Sequence, residues 1–176
     1  MIYRAIGSAE LSPALFAHFD RRQEVTLCYR RAADGSWCVR PDPFTDDWNA
    51  ADYAFLVQCL RRTLERGGAV FGAFAEGALK GFCSVEAPPL GSRGQYRDLT
   101  SLHVSRELRG QGTGRKLFAL AADAARRMGG EKLYISSHSA AETQAFYRGL
   151  GCTDASEPDA EHVGREPFDC QLEFAL

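Results

Sequence analysis

An α/β (α+β) fold with a central mixed, twisted sheet flanked by helices is predicted by three observations. Helical and strand periodicities alternate along the chain. A glycine-rich turn separates a strand from a strongly amphipathic helix. The strand–turn–helix–strand unit around it requires two parallel strands joined by a right-handed crossover. The 176 residues fit one domain, 1–176, carrying an inserted hairpin or loop at about 24–50.

Taken in order, residues 2–5 alternate weakly and suggest a short strand. Leu15, Phe16 and Phe19 suggest a helix within 8–22, starting near Ser12-Pro13. Strands at 25–29 and 36–39 flank an Ala33-Asp34-Gly35 turn. Residues 40–49 hold two prolines and three aspartates and read as loop. Tyr53, Val57, Leu60 and Leu64 define a helix over 51–66, ended by Gly67-Gly68. Residues 69–74 and 79–86 form a β-hairpin around Ala75-Glu76-Gly77. A strand at 98–105 leads into the glycine turn. The helix over 112–128 aligns Leu117, Phe118, Ala121, Ala125 and Met128 on one side. A strand at 132–136 follows, then a helix at 140–150 with a Ser139/Glu142 capping-box pattern and Gly151 as its stop. Residues 168–176 alternate as a final strand.

Composition excludes several classes. Net charge is -2, so nothing attracts nucleic acid or an anionic membrane. No apolar run reaches the roughly 20 residues of a membrane helix. The six cysteines form no CxxC pair, and the start reads as lacking a signal peptide, so a reducing, cytoplasmic setting is expected. His18, His103, His138 and His162 show no ligand spacing, so no metal is expected. The segment from Gly151 to Glu173 is acidic; it reads as a solvated loop or, alternatively, as a surface for a cationic substrate.

The turn Arg109-Gly110-Gln111-Gly112-Thr113-Gly114 carries the chemistry. A helix N-terminus leaves backbone N–H groups unpaired and carries partial positive charge, which suits pyrophosphate. Glycines let phosphate oxygens approach, and Arg109 and Arg115 add charge. Arg115 stands where the second Walker A glycine or the third dinucleotide-motif glycine would have to be, so both of those spacings fail.

Leu102-His103-Val104 with Arg109 to Gly114, followed by Ala145-Phe146-Tyr147-Arg148-Gly149-Leu150-Gly151, resembles the GNAT superfamily of N-acetyltransferases. The resemblance is specific from about Leu99 to Cys152. It implies the GNAT acyl-CoA N-acyltransferase fold, acetyl-CoA as cosubstrate, and direct transfer of acetyl to a primary amine, expected to belong to a small molecule. It places the pyrophosphate on Gly110, Gln111, Gly112, Thr113, Gly114 and Arg115, next to Arg109. It places the thioester arm along Leu102, His103 and Val104, with the Val104 N–H polarising the acetyl carbonyl. It makes Tyr147 the general acid. Glu86 is the candidate base, with His103 and Asp98 as alternatives. Where relatives carry a cofactor-contacting asparagine, this chain has Ala140, so Ser139 or Thr143 is expected to compensate. Asp42, Asp46, Asp47 and Trp48 read as loop caps and a core anchor, or as a cation-holding set. Rival readings are a non-catalytic acetyl-CoA-binding module and a protein or peptide N-acetyltransferase. A homodimer is compatible with the fold.

Overall fold

The computed structural model describes all residues, 1–176. Seven strands form the main sheet: β1 (Ile2–Ala5), β4 (Ala69–Ala75), β5 (Ala78–Val85), β6 (Tyr96–Val104), β7 (Lys132–Ser137), β8 (Thr153–Asp154) and β9 (Cys170–Ala175). Their order is β1-β4-β5-β6-β7-β9-β8. Only the β6–β7 pair is parallel, as the crossover through α2 (Thr113–Arg127) requires. β2 (Gln23–Arg31) and β3 (Trp37–Asp46) form a separate two-stranded sheet.

The two faces of the main sheet bury different cores. On one, α2 lays Leu117, Phe118, Ala121 and Ala125 on Cys83, Val85, Leu99, Leu133 and Ile135. On the other, α1 (Ala50–Glu65) and the turns before β2 bury Phe16, Phe19, Leu56 and Leu60 with Phe74, Leu79 and Phe82. Asn49 starts α1: its side chain accepts the Ala51 and Asp52 N–H groups, and Asp52 accepts the Asn49 N–H in return. α3 (Ala141–Gly149) and the short α4 (Ala160–Arg165) precede β8 and β9 respectively. No helix is long and apolar enough to cross a membrane.

Several local expectations change. Residues 8–22 form no α-helix, only two 3₁₀ turns, Ser8–Glu10 and Pro13–Phe16. Residues 40–46 are strand rather than loop. Prolines 41 and 43 are tolerated because β3 is an edge strand, where no ladder donor is needed on its outer side, and the pairing shifts register between Val25 and Leu27. The Ser139/Glu142 capping box does not form. Ala140 is the N-cap residue of α3 and makes no side-chain cap, while Ser139 Oγ accepts from Arg30 Nη1 at 2.6 Å. β8 and α4 carry too few residues for periodicity to show.

The hairpin packs onto the start of α3. Tyr29 N–H donates to the Ser139 carbonyl at 2.8 Å, and Cys28 pairs with Ala140 in an isolated bridge. Val25, Cys28 and Ala140 are sealed together beneath it.

Candidate active site

β6 and β7 pair only from Tyr96 to Asp98 against Lys132 to Tyr134. Beyond Leu99 they diverge, opening a cleft in the sheet. A cavity of about 990 Å³ runs along it, lined by β6 from Leu99 to Val104 and by Ser136, Ser137 and His138 beyond the part of β7 that pairs with β6.

A β-bulge sets which side chains face this cavity. Ser84 pairs with Ser101 and Val85 with Leu99, leaving Thr100 as the extra residue. Before the bulge, Leu99 packs on the α2 core while Asp98 points to the opposite face, toward His162. After it, Leu102 and Val104 pack on the α2 core and His103 takes the opposite face, between Phe82 and Trp48. The Ser105 N–H donates to Lys80 O, so alternation assigns the backbone groups of His103 and Ser101 to β5. Those of Leu102 and Val104 then face the cleft. The Val104 carbonyl is taken by Arg109 Nε at 3.0 Å, and its N–H remains toward the opening.

At one end of the cleft stands the N-terminus of α2. Gly112, the N-cap residue, has φ +83°, a left-handed conformation that favours glycine. It provides no side-chain cap, and the first helical bond is from Lys116 N–H to Gly112 O, at 3.2 Å. The N–H groups of residues 112–115 are therefore left for a ligand. A Cβ on Gly114 would lie 3.1 Å from the Phe146 ring, so only hydrogen fits between helix and ring. Backbone donors, a positive helix end and a long cleft together fit the pyrophosphate and extended arm of a coenzyme A thioester.

The predicted residues fall into groups. Leu102, His103, Val104, Gly110, Gly112, Gly114, Arg115, Thr143 and Tyr147 line the cavity, as does part of Arg109. The Arg109 guanidinium, however, is spent on backbone: besides Val104 O, it donates to Arg22 O at 2.9 Å and Arg21 O at 2.8 Å. It braces the turn against the segment before β2. Gln111 donates back to Glu107 O at 3.0 Å, Thr113 is buried in the first turn of α2, and neither lines the cavity. Glu86 does not line it either. The Glu86 carboxylate accepts from Thr63 Oγ1 on α1, because its strand runs antiparallel to β6 and carries it to the closed end of the cleft. Asp98 accepts from, or shares a proton with, His162 Nε2 at 2.9 Å. Asp42 and Asp46 are paired with Arg30 and Arg21, so each already has a cationic partner within the chain. Trp48 stacks edge-on with His103, ring centroids 4.9 Å apart.

Tyr147 on α3 is buried against Phe118 and Phe146 and is one of the residues that line the cavity. Burial, reinforced by the nearby Cys152 and Cys83 thiols, pushes its pKa up, so the phenol stays protonated.

At the other end of the cavity the sequence offered only the acidic segment Gly151 to Glu173 as an alternative surface for a cationic substrate, with no residue of it singled out. Ser136, Ser137 and His138 follow the part of β7 that pairs with β6, and Glu166 and Asp169 come from the segment between α4 and β9. The signal that was available is positional: carboxyl ends of parallel strands are where α/β sheets place ligands. Burial, with Glu166 adding repulsion, pushes the Asp169 carboxyl up to about 6.

Residues 27–152 match the profile of the Acetyltransferase (GNAT) family. The chain belongs to that family. As a GNAT acetyltransferase it uses acetyl-CoA as cosubstrate, and the free N–H groups at the start of α2 suit that molecule. No curated protein matches the sequence. Solved structures share the fold at low identity. Nourseothricin acetyltransferase is 20% identical with a TM-score of 0.72, covering 99% of this chain and 97% of its own. A protein of Bacillus anthracis str. Ames assigned as a streptothricin acetyltransferase, in complex with acetyl coenzyme A, is 12% identical with a TM-score of 0.74, covering 99% of both chains. The PaiA N-acetyltransferase of Thermoplasma acidophilum, in complex with coenzyme A, is 13% identical with a TM-score of 0.60 over 100% of both.

Proposed function

We propose that this GNAT enzyme moves acetyl directly from acetyl-CoA to the primary amine of a small cationic molecule in the cytoplasm. The observation that carries the acceptor class is the change of sign along the cavity. Arg106, Arg109 and Arg115 stand with the α2 N-terminus, Arg21 and Arg22 are paired with Asp46 and Glu24, Glu142 opens α3, and Glu166 and Asp169, from the segment before β9, have no salt-bridge partner. Asp169 has only Ser136 Oγ as a partner, at 3.3 Å, with Glu166 close enough to repel it. An ammonium group there relieves that repulsion, and the carboxyl pKa falls when it binds. The hairpin seated on Ser139 and Ala140 narrows the approach from that side, which favours a compact acceptor over a peptide backbone. Two of the structural neighbours are named for nourseothricin and streptothricin.

In this reading the Leu102 and Val104 backbone aligns the thioester arm, and the Val104 N–H stabilises the negative charge that grows on the carbonyl oxygen. Tyr147 supplies the proton that the leaving sulfur needs. The partly buried apolar walls of Phe146, Leu102 and Val104 limit the water that competes with the amine. The test is acetyl-CoA consumption against polyamines, amino acids, aminoglycosides and peptides. Turnover should concentrate on small acceptors with a second positive charge, and Asp169→Asn should raise KM for those acceptors about tenfold while leaving KM for acetyl-CoA within about twofold. Turnover confined to peptides would overturn the small-molecule reading, and binding without turnover across the panel would make the chain a non-catalytic module.

A further inference from the structure

The reaction needs a group that takes a proton from the attacking nitrogen. Glu86, the expected base, is bonded to Thr63 at the closed end of the cleft, and Asp98 is engaged by His162. Two histidines do border the cavity, His103 and His138. They differ in one respect that decides between them. His138 Nδ1 lies 3.1 Å from the Ala140 N–H, a group that can only donate. The neutral His138 ring therefore carries its proton on Nε2 and presents a donor, not an acceptor, to the cavity. His103 has no such commitment: its surroundings are Trp48 at 4.9 Å and Phe82 at 5.3 Å between ring centroids, and no hydrogen bond holds either nitrogen.

Position favours the same residue. His103 is one residue from Val104, whose N–H faces the cleft; alternation puts its ring on the face opposite Leu102 and Val104, and the bulge at Thr100 is what keeps that face from being the one Leu99 occupies. An acceptor entering from the side of Trp48 and the hairpin meets this ring as it approaches the strand edge. We infer that His103 is the catalytic base that receives the proton from the acceptor amine. The inference rests on the acetyl-transfer reading above.

The step balances as follows. A neutral amine nitrogen attacks the thioester carbonyl carbon, and the C–N bond forms as one N–H proton passes to a ring nitrogen of His103. The C–S bond breaks with its electron pair on sulfur, which takes the proton of Tyr147 Oη. The imidazolium then returns its proton to the tyrosinate through solvent, and both groups are restored.

The charged groups around the ring keep it ready for this. Burial first, then Arg21, Arg109 and His138, hold its pKa well below the ordinary histidine value. Asp46 faces the same region but is paired with Arg21, and Tyr53, which packs on Trp48, donates to Phe19 O at 3.0 Å. The imidazole is thus unprotonated at neutral pH.

The test is a pH–rate profile of wild type and His103→Gln on an acceptor the wild type turns over, with coenzyme A binding measured by calorimetry. The wild-type kcat/KM should fall on an acidic limb with an apparent pKa below 6.5. In His103→Gln, kcat at pH 7 should drop by about 10²-fold or more, the acidic limb should vanish, and coenzyme A affinity should stay within about twofold. His103→Ala should bind coenzyme A and regain turnover with added imidazole, a readout that a packing role does not produce. A His103→Gln enzyme that keeps kcat within about threefold, or keeps the acidic limb, overturns the assignment. Asp169→Asn should retain the limb; its loss there would move the base to Asp169. A wild-type chain that turns over no amine defeats the acetyl-transfer reading itself, which is a different result from either variant failing alone.

Discussion

The two ends of the cavity are built in different ways. The donor end is a run of consecutive residues, Gly110 to Arg115, whose useful groups are backbone N–H donors at one helix terminus. The end proposed for the acceptor gathers side chains from the segment before β2, from β6, from the end of β7 and His138 after it, and from the segment before β9. A backbone site needs glycine and a helix start, and it tolerates little else. A side-chain site needs only that distant segments meet, so its residues can be exchanged for others of different charge. That contrast lets one end of such a cavity keep its backbone while the other changes its side chains within a common fold, such as this chain shares with structures 12% and 20% identical to it.

The largest expected effect lies where the two halves meet. Tyr147 is carried by α3, borders the cavity between them, and is kept protonated by burial. Tyr147→Phe removes one oxygen and leaves the packing on Phe118 and Phe146 in place. We expect kcat to fall by about 10²-fold or more while both KM values change little, because a proton donated to the leaving sulfur acts only in the transition state. A variant that keeps full kcat across the pH range would remove Tyr147 from the chemistry and leave it as a wall between the two ends.

A smaller effect separates the two reasons for glycine within the donor end. At Gly112 the space is open and the backbone is left-handed; at Gly114 the backbone is ordinary helix and the Phe146 ring leaves no room. Gly112→Ala should cost about 1–2 kcal/mol through the conformation alone. Gly114→Val should weaken coenzyme A binding about tenfold, since ring or helix must shift. Phe146→Leu added to each should restore binding to Gly114→Val and do nothing for Gly112→Ala. Equal rescue of both, measured by calorimetry, would show that the turn is a single unit rather than two constraints.

The same contrast accounts for what sequence reading could reach. Gly112, Gly114 and Tyr147 were legible because local patterns specify them: a strand, a turn with glycine at fixed positions, a helix. The order of elements from β4 to α3, and the final strand β9, followed from periodicity, whereas β8 and α4 are too short to show it. Glu86 was misjudged in place, because strand direction carries it away from the opening and only the pairing of β5 with β6 reveals that. The orientation of His103 was hidden for a related reason. Plain alternation along β6 puts residues 99 and 103 on one face, and the extra residue at Thr100 puts them on opposite faces. Pro41 and Pro43 suggested a loop, yet an edge strand accommodates them. Asp169 could not be distinguished from the other acids of its segment: Asp159 caps α4, Glu157 holds Ser92 and Gln95, and Glu173 holds Lys132 and Tyr96. Only packing shows which acid is left facing the cavity.

The smallest expected effect concerns the support of the acceptor end. The segment that carries Glu166 and Asp169 is tied to the sheet by His162, whose Nε2 lies 2.9 Å from Asp98 and whose Nδ1 lies 2.8 Å from Asp159. Bonding to Asp98, then its charge and that of Asp159, raise the imidazole pKa to about 9 against the opposing effect of burial. A group whose pKa is raised by folding adds stability that is fully present below its unfolded value, near 6.5, and is lost as pH climbs through about 9. His162→Gln keeps one hydrogen bond and removes the charge. Its melting temperature should therefore lie about 2–4 °C below wild type at pH 6, corresponding to roughly 1 kcal/mol for this mostly buried pair, and the difference should close above pH 9. The donor end has no part in this tie, so coenzyme A affinity should be the same in both proteins at pH 7 while KM for a cationic acceptor rises in the variant. If coenzyme A affinity falls with it, the two ends are not the independent constructions that their residues suggest, and α4 supports the whole cleft.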